Sequence, residues 1–314
     1  MKKVFIKKRI FKGIIFILLF LIYNGSYRDI SVEELKLDYV NEHSKFVEID
    51  GMQVHYRDEG TGFPIVLIHG TGSSLHTWND WTKELTKNYR VIRMDLPAFG
   101  LTGPNKNADY TIPNYTKFMH QFLTKMNLEK FHLIGNSLGG NIAWNYTADY
   151  PEKIEKLILV DASGLLTNKP QPAIFKMAKM PVLSSLFLYV TPKFFIKQNM
   201  KEVYADDSKI TDDLVTRYHK MSLRTGNREA FIDRAKIDFK PNEKTGLEKL
   251  KSIKTATLLI WGAKDTWIPL KSVGTKMDSV LPNSKLVVLE NSGHVPMEEN
   301  PEESLKLLLD FLNQ

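Results

Sequence analysis

Phe131-His132-Leu133-Ile134-Gly135-Asn136-Ser137-Leu138-Gly139-Gly140 decides how the rest of this chain is read. Phe131 to Ile134 is a short apolar run of the kind that forms a buried parallel strand. Gly-Asn-Ser-Leu-Gly follows, and from Asn141 to Tyr150 the apolar residues recur at helical spacing. Strand, G-x-S-x-G and helix together describe a nucleophile elbow. The turn forces its central residue to positive φ and leaves no room for side chains two positions away. Glycine at 135 and 139 removes the Cβ atoms that would collide. Ser137 is thereby predicted to stand at a helix N-terminus, where the helix dipole favours developing negative charge.

Working outward, strands are expected at Phe46 to Ile49 and Met52 to Arg57, joined by an Asp50-Gly51 hairpin turn. Further strands are read at Pro64 to His69, Tyr89 to Asp95, Phe131 to Asn136, Lys156 to Asp161, Thr257 to Trp261 and Lys285 to Leu289. Helical spacing between the later strands makes the sheet parallel from the third strand on, an α/β fold. Residues 165–245 carry no strand signal and many apolar residues between prolines, so they read as a helical cap inserted after the sixth strand. The core then comprises 46–164 and 246–314, preceded by a linker helix within 28–45. Ser31-Val32-Glu33-Glu34 has capping-box spacing at the start of that helix.

The 314 residues carry a net charge of +7, but Lys2, Lys3, Lys7, Lys8, Arg9 and Lys12 supply almost all of it. The remainder is nearly neutral, leaving no basic stripe to track a nucleic acid. After those cations comes an uncharged apolar run from Gly13 to Tyr27. Residues 1–27 therefore read as a signal-anchor or, less favoured, a signal peptide, because no small-x-small cleavage site follows. With the cations inside, the rest of the chain is expected outside the cytoplasm, membrane-anchored or exported. The chain has no cysteine, which removes thiol catalysis, disulfides and cysteine-ligated zinc.

A serine needs a general base, and the base needs an orienting acid. Of eight histidines, His294 is the candidate base, because it follows a predicted strand in the loop Asn291-Ser292-Gly293-His294-Val295-Pro296. His132, inside the strand before the elbow, reads as a satisfied core residue; His43, His120 and His219 read as surface or packing residues. Asp265, after the strand ending at Trp261, is the expected acid. Asp161 is its serious rival and Asp95 a weaker one, since both also end strands. The oxyanion donors are expected to be the backbone amides of Leu138 and Thr71, the latter in His69-Gly70-Thr71-Gly72. Leu75 stands where a dinucleotide fingerprint would need its third glycine. With no P-loop and no paired-histidine spacing either, no cofactor and no metal are expected.

In these motifs the chain resembles the α/β-hydrolase family from about Phe46 to the C-terminus. The motifs are Leu67 to Gly72, Asp95-Leu96-Pro97-Ala98-Phe99-Gly100, Gly135 to Gly140, Gly262 to Asp265 and Ser292-Gly293-His294. The resemblance implies an eight-stranded sheet with a cap and is similar to esterases, haloalkane dehalogenases, epoxide hydrolases and meta-cleavage C–C hydrolases. Dehalogenases and epoxide hydrolases of this kind place aspartate where this chain has Ser137. The C–C hydrolases share Gly-Asn-Ser but usually carry a longer glycine run, interrupted here by Thr71, and a tryptophan where Val295 stands. A serine hydrolase of hydrophobic carboxylic esters is therefore expected, with Trp267 as a pocket wall. The alternatives are a C–C hydrolase, a cofactor-free perhydrolase, or a non-catalytic membrane-tethered homologue.

Overall fold

The computed structural model describes residues 12–314 except 14, 17, 18, 21, 24, 168 and 238–242. Eight strands form one sheet: β1 (Ser44–Ile49), β2 (Met52–Glu59), β3 (Phe63–Ile68), β4 (Tyr89–Met94), β5 (Phe131–Asn136), β6 (Ile154–Val160), β7 (Ala256–Gly262) and β8 (Ser284–Leu289). They lie in the order β1-β2-β4-β3-β5-β6-β7-β8. β1 and β2 pair antiparallel through the Asp50-Gly51 turn, where both residues have positive φ, as a two-residue hairpin turn of right-handed twist requires. β2 also pairs antiparallel with β4, and the strands from β3 on pair with one another in parallel, as the helical spacing between them predicts.

A parallel sheet must be covered on both faces, and the side-chain alternation shows how. On β3, Val66 and Ile68 join one core with Phe118 and Phe122 of helix Ile112–Lys125 and Ile142 of helix Leu138–Asp149. Ile65 and Leu67 join the other core, with Trp78, Trp81 and the C-terminal helix Pro301–Leu312. Both faces of β5 are likewise buried, so the elbow rests on the most deeply covered strand.

Between β6 and β7 the described chain is helical, with helices Ala173–Lys179, Pro181–Phe187, Lys193–Val203, Asp212–Ser222, Asn227–Lys236 and Glu243–Ser252. Ahead of β1 lies a helix at Val32–Tyr39, where Ser31 Oγ accepts from the Glu34 amide at 3.1 Å. It is not a free spacer: Leu35 is buried against Leu101 of the core and Met221 of the insertion. The described members of 12–25 are helical, and among the described residues no helix is long and apolar enough to cross a membrane. Residues 1–11 and several positions of the apolar run, on which the signal-anchor expectation rests, lie outside the described residues.

Candidate active site

Ser137 occupies φ 53°, ψ −114°, strained for any residue with a Cβ. The strain is held by local chemistry. The Ser137 amide donates to Val160 O at 3.1 Å, and its carbonyl accepts from the amides of Asn141 and Ser163, each at 3.0 Å. A Cβ on Gly135 would collide with the Gly139 carbonyl, and one on Gly139 with the carbonyl of Ile68. Gly135→Ala is therefore expected to cost about 3 kcal/mol of stability, since backbone and not a flexible side chain is in the way. Gly246→Ala is the control. There the nearest side chain would be 3.7 Å from the new Cβ, and a helical position gains up to about 1 kcal/mol from alanine. Chemical denaturation of the two variants beside the parent checks both signs.

The loop after β3 comes to the serine. A Cβ on Gly70 would lie 3.0 Å from Ser137 Cβ, so the two backbones are in near contact. His69 sets this loop. Its Nε2 accepts from the Leu96 amide at 3.0 Å, so the proton is on Nδ1, which donates to Gly70 O at 2.7 Å. Complete burial lowers the imidazole's basicity and keeps it neutral. In a trans peptide the Thr71 N–H points opposite to the Gly70 carbonyl. Pinning that carbonyl therefore turns the Thr71 amide away from His69. Neither the Thr71 nor the Leu138 amide has an acceptor among the described residues. Loop and elbow thus offer two free donors next to Ser137, the arrangement an oxyanion requires.

Asp265 and His294 are brought together by β7 and β8. His294 Nδ1 lies 2.7 Å from Asp265 Oδ2, and the other oxygen of Asp265 accepts from the amides of Trp267 (2.8 Å) and Ile268 (3.0 Å). The His294 backbone is fastened as well: its amide donates to Val203 O at 2.7 Å, and its carbonyl accepts from Asn136 Nδ2 at 3.0 Å. Asn136, immediately before Ser137, thus ties the elbow to the histidine loop. Glu299, 2% exposed, accepts from the amides of Gly293, Ala205 and Asp206 and binds that loop to the insertion. Sequence reasoning missed the roles of His69, Asn136 and Glu299. His69 and Asn136 lie inside the quoted motifs, whereas nothing local marks Glu299. The Ser137 hydroxyl makes no hydrogen bond to His294 here; such contacts commonly tighten only around a bound substrate.

Asp161 sits beside this pair. One atom each of Asp161, Asp265 and His294 lie within 4.8 Å of one another. Asp161 is fully buried, its Oδ1 accepts from the Gly262 amide at 2.9 Å, and its Oδ2 has no partner among the described residues. Burial, and then the neighbouring Asp265 carboxylate, push its pKa well above the ordinary range. Asp265 thus has three donors and Asp161 one. The trio is also the only cluster of metal-type ligands among the described residues. A metal fits it poorly, because Asp265 is already engaged by His294 Nδ1 and two backbone amides, and burial disfavours a charged Asp161.

The other sequence candidates lie elsewhere. Asp95 is a structural hub: it accepts from the amides of Leu75 and Leu101 and pairs with His55 at 2.8 Å. His132 is buried but not satisfied, contrary to the expectation. Its Nδ1 has no partner among the described residues, Phe63 and Tyr89 flank the ring, and desolvation lowers its pKa to about 4. His219 is packed against Tyr27 and bonded to Thr191 O. Trp267 packs its ring 5.8 Å from that of His294 and 5.7 Å from that of Phe175 in the insertion, so it borders the candidate site.

Residues 64–301 match the family model described as the alpha/beta hydrolase fold. The 2-hydroxy-6-oxononadienedioate/2-hydroxy-6-oxononatrienedioate hydrolase of Paraburkholderia phymatum is 30% identical over 282 residues, covering 86% of this chain and 96% of its own. The meta-cleavage product hydrolase of Pseudomonas fluorescens superposes with a TM-score of 0.73 at 24% identity, over 86% of this chain and 97% of that one. A membrane phospholipase A described as a bacterial virulence factor superposes with a TM-score of 0.72 at 23% identity, over 100% of this chain and 98% of its own. At those identities the two structures attest the fold alone. With the family model spanning most of the chain, and an eight-stranded sheet carrying a serine elbow, this protein belongs to the α/β-hydrolase fold family.

Proposed function

We propose that the chain is a serine hydrolase of carboxylic esters with hydrophobic acyl or aryl groups. In this reading Ser137 attacks the ester carbonyl while His294 Nε2 takes its proton and returns it to the leaving alcohol. Asp265 holds the imidazole with its proton on Nδ1, and the amides of Leu138 and Thr71 receive the oxyanion. Water, activated by the same histidine, then releases the acid.

The observation that carries the ester reading is the wall beside His294. The rings of Trp267 and Phe175 form it, with Glu202, whose carboxylate accepts from Trp267 Nε1 at 3.2 Å, at its edge. Aromatic rings suit an apolar acyl or aryl group better than they suit either carboxylate of a dienedioate. The relatives' names favour the second reading, a C–C hydrolase acting on a meta-cleavage product. Incubating the protein with p-nitrophenyl esters of increasing acyl length and, separately, with a dienedioate decides between the two. Turnover concentrated on esters, rising with acyl length, is the expected result; turnover confined to the dienedioate overturns it.

We also propose that residues 1–27 anchor the protein in a membrane and leave the catalytic body outside the cytoplasm. The support is the order of the sequence: six cations before residue 13, then an uncharged apolar run.

A further inference from the structure

The first half of the insertion is unusual in charge. From Ala162 to Lys201 there are six lysines, at 169, 176, 179, 193, 197 and 201, and no aspartate or glutamate. Lys197 and Lys201 pair with Asp212 and Asp207, but Lys169, Lys176, Lys179 and Lys193 have no recorded ion pair among the described residues. The same stretch exposes large apolar side chains: Val182 is 81% exposed, Tyr189 70%, Met180 52% and Phe194 49%. A soluble surface gains nothing from that combination, whereas an anionic bilayer surface rewards both parts. Apolar side chains enter the headgroup boundary and lysines meet the lipid charge.

Position in the molecule points to the same partner. The apolar N-terminal run ends against this stretch: the Thr191 amide donates to Gly25 O at 2.8 Å and the Tyr27 amide to Tyr189 O at 3.3 Å. Gly25 packs on Pro192 and Val190 so closely that a Cβ there would lie 2.7 Å from the proline ring. Whatever depth the end of the anchor occupies, residues 189–192 share it. Phe194 and Lys193 follow at once, in the helix Lys193–Val203. This 11-residue helix, about 16 Å long at 1.5 Å per residue, ends at the Val203 carbonyl that holds the His294 amide.

We infer that residues 176–197 of the insertion form a docking surface for an anionic lipid bilayer, which seats the active site over the membrane and gives it esters dissolved in the bilayer. This rests on the anchor reading above, because the anchor's end sets the level of the surface.

The chain has no cysteine, so single-cysteine variants report one position each. The full chain carrying Val182→Cys, labelled with an environment-sensitive fluorophore, is reconstituted into phosphatidylcholine vesicles with and without phosphatidylglycerol. Tyr23→Cys, in the apolar run, and Asn283→Cys, exposed just before β8, are labelled in parallel. A several-fold rise and blue shift at position 182, larger with phosphatidylglycerol, beside an aqueous signal at position 283, is expected. A paired Lys176→Glu and Lys179→Glu variant is expected to lose the phosphatidylglycerol dependence while hydrolysing a soluble ester at the parent rate. An aqueous signal at 182 with an apolar one at 23 overturns the docking surface and leaves the anchor standing. Aqueous signals at both positions overturn both. An apolar signal at 182 beside an aqueous one at 23 overturns the anchor, and with it the level at which this surface was placed.

Discussion

Ser137→Ala is expected to abolish hydrolysis and leave the fold untouched. The two halves of that expectation have separate causes. Alanine keeps the Cβ, so the strained backbone at φ 53° sees no new atom. The hydrogen bonds that hold the strain run through backbone N and O, to Val160, Asn141 and Ser163, and all survive. The serine hydroxyl makes no hydrogen bond among the described residues, so its removal strands no buried partner, and stability is expected within about 0.5 kcal/mol of the parent. Chemistry has no such tolerance. Without the nucleophile only binding and the oxyanion donors remain, and losses near 10⁶ in kcat, roughly, are typical of triad serines. Steady-state ester hydrolysis, labelling by a fluorophosphonate and a thermal melt measure the three quantities on one preparation. Labelling of the alanine variant would place the nucleophile elsewhere.

The second large effect separates the two aspartates that sequence alone leaves in competition. Asp265→Asn presents an amide donor to His294 Nδ1, favouring the wrong tautomer, and a loss of about 10⁴ in kcat is expected. Asp161→Asn is expected to cost less than about tenfold. An asparagine there can still accept from the Gly262 amide, and it is neutral, the form that burial favours at Asp161. The pH dependence carries a second signature. A carboxyl whose pKa is raised in the fold contributes stability that is complete below its unfolded value, near pH 4 or about there, and is lost as pH rises through the folded value. The parent therefore forfeits stability above that range through Asp161, and the asparagine variant does not. The stability of Asp161→Asn relative to the parent should rise with pH, measured by denaturant midpoints on both proteins across the neutral range. A fall in activity near 10⁴, roughly, at Asp161 with little effect at Asp265 would exchange their roles.

Much of the fold could be read locally. Apolar runs bounded by turn residues mark all eight strands, and β5 is found at the bounds expected, Phe131 to Asn136. The Asp50-Gly51 turn is a matter of which residues tolerate positive φ, and both adopt it. The elbow is legible for the same reason. Its constraint is steric and spans five residues, so the requirement for small neighbours shows in the sequence itself.

What the sequence by itself determined is therefore whatever short-range sterics and periodicity control: strand identity, the parallel character of the sheet, the elbow, and the residue types able to act as nucleophile, base and acid. Tertiary structure alone decided the rest. It ordered the strands so that β6, β7 and β8 deliver Asp161, Asp265 and His294 to one place, and it set three donors on Asp265 against one on Asp161. It gave His132 a nitrogen without a partner, turned the helix at Val32–Tyr39 from a spacer into packing through Leu35, and fastened the histidine loop to the insertion through Glu299. Each of these depends on which groups from distant positions share a low-dielectric space, where one additional donor or one neighbouring charge determines protonation. That information is held by packing, and no window of sequence contains it.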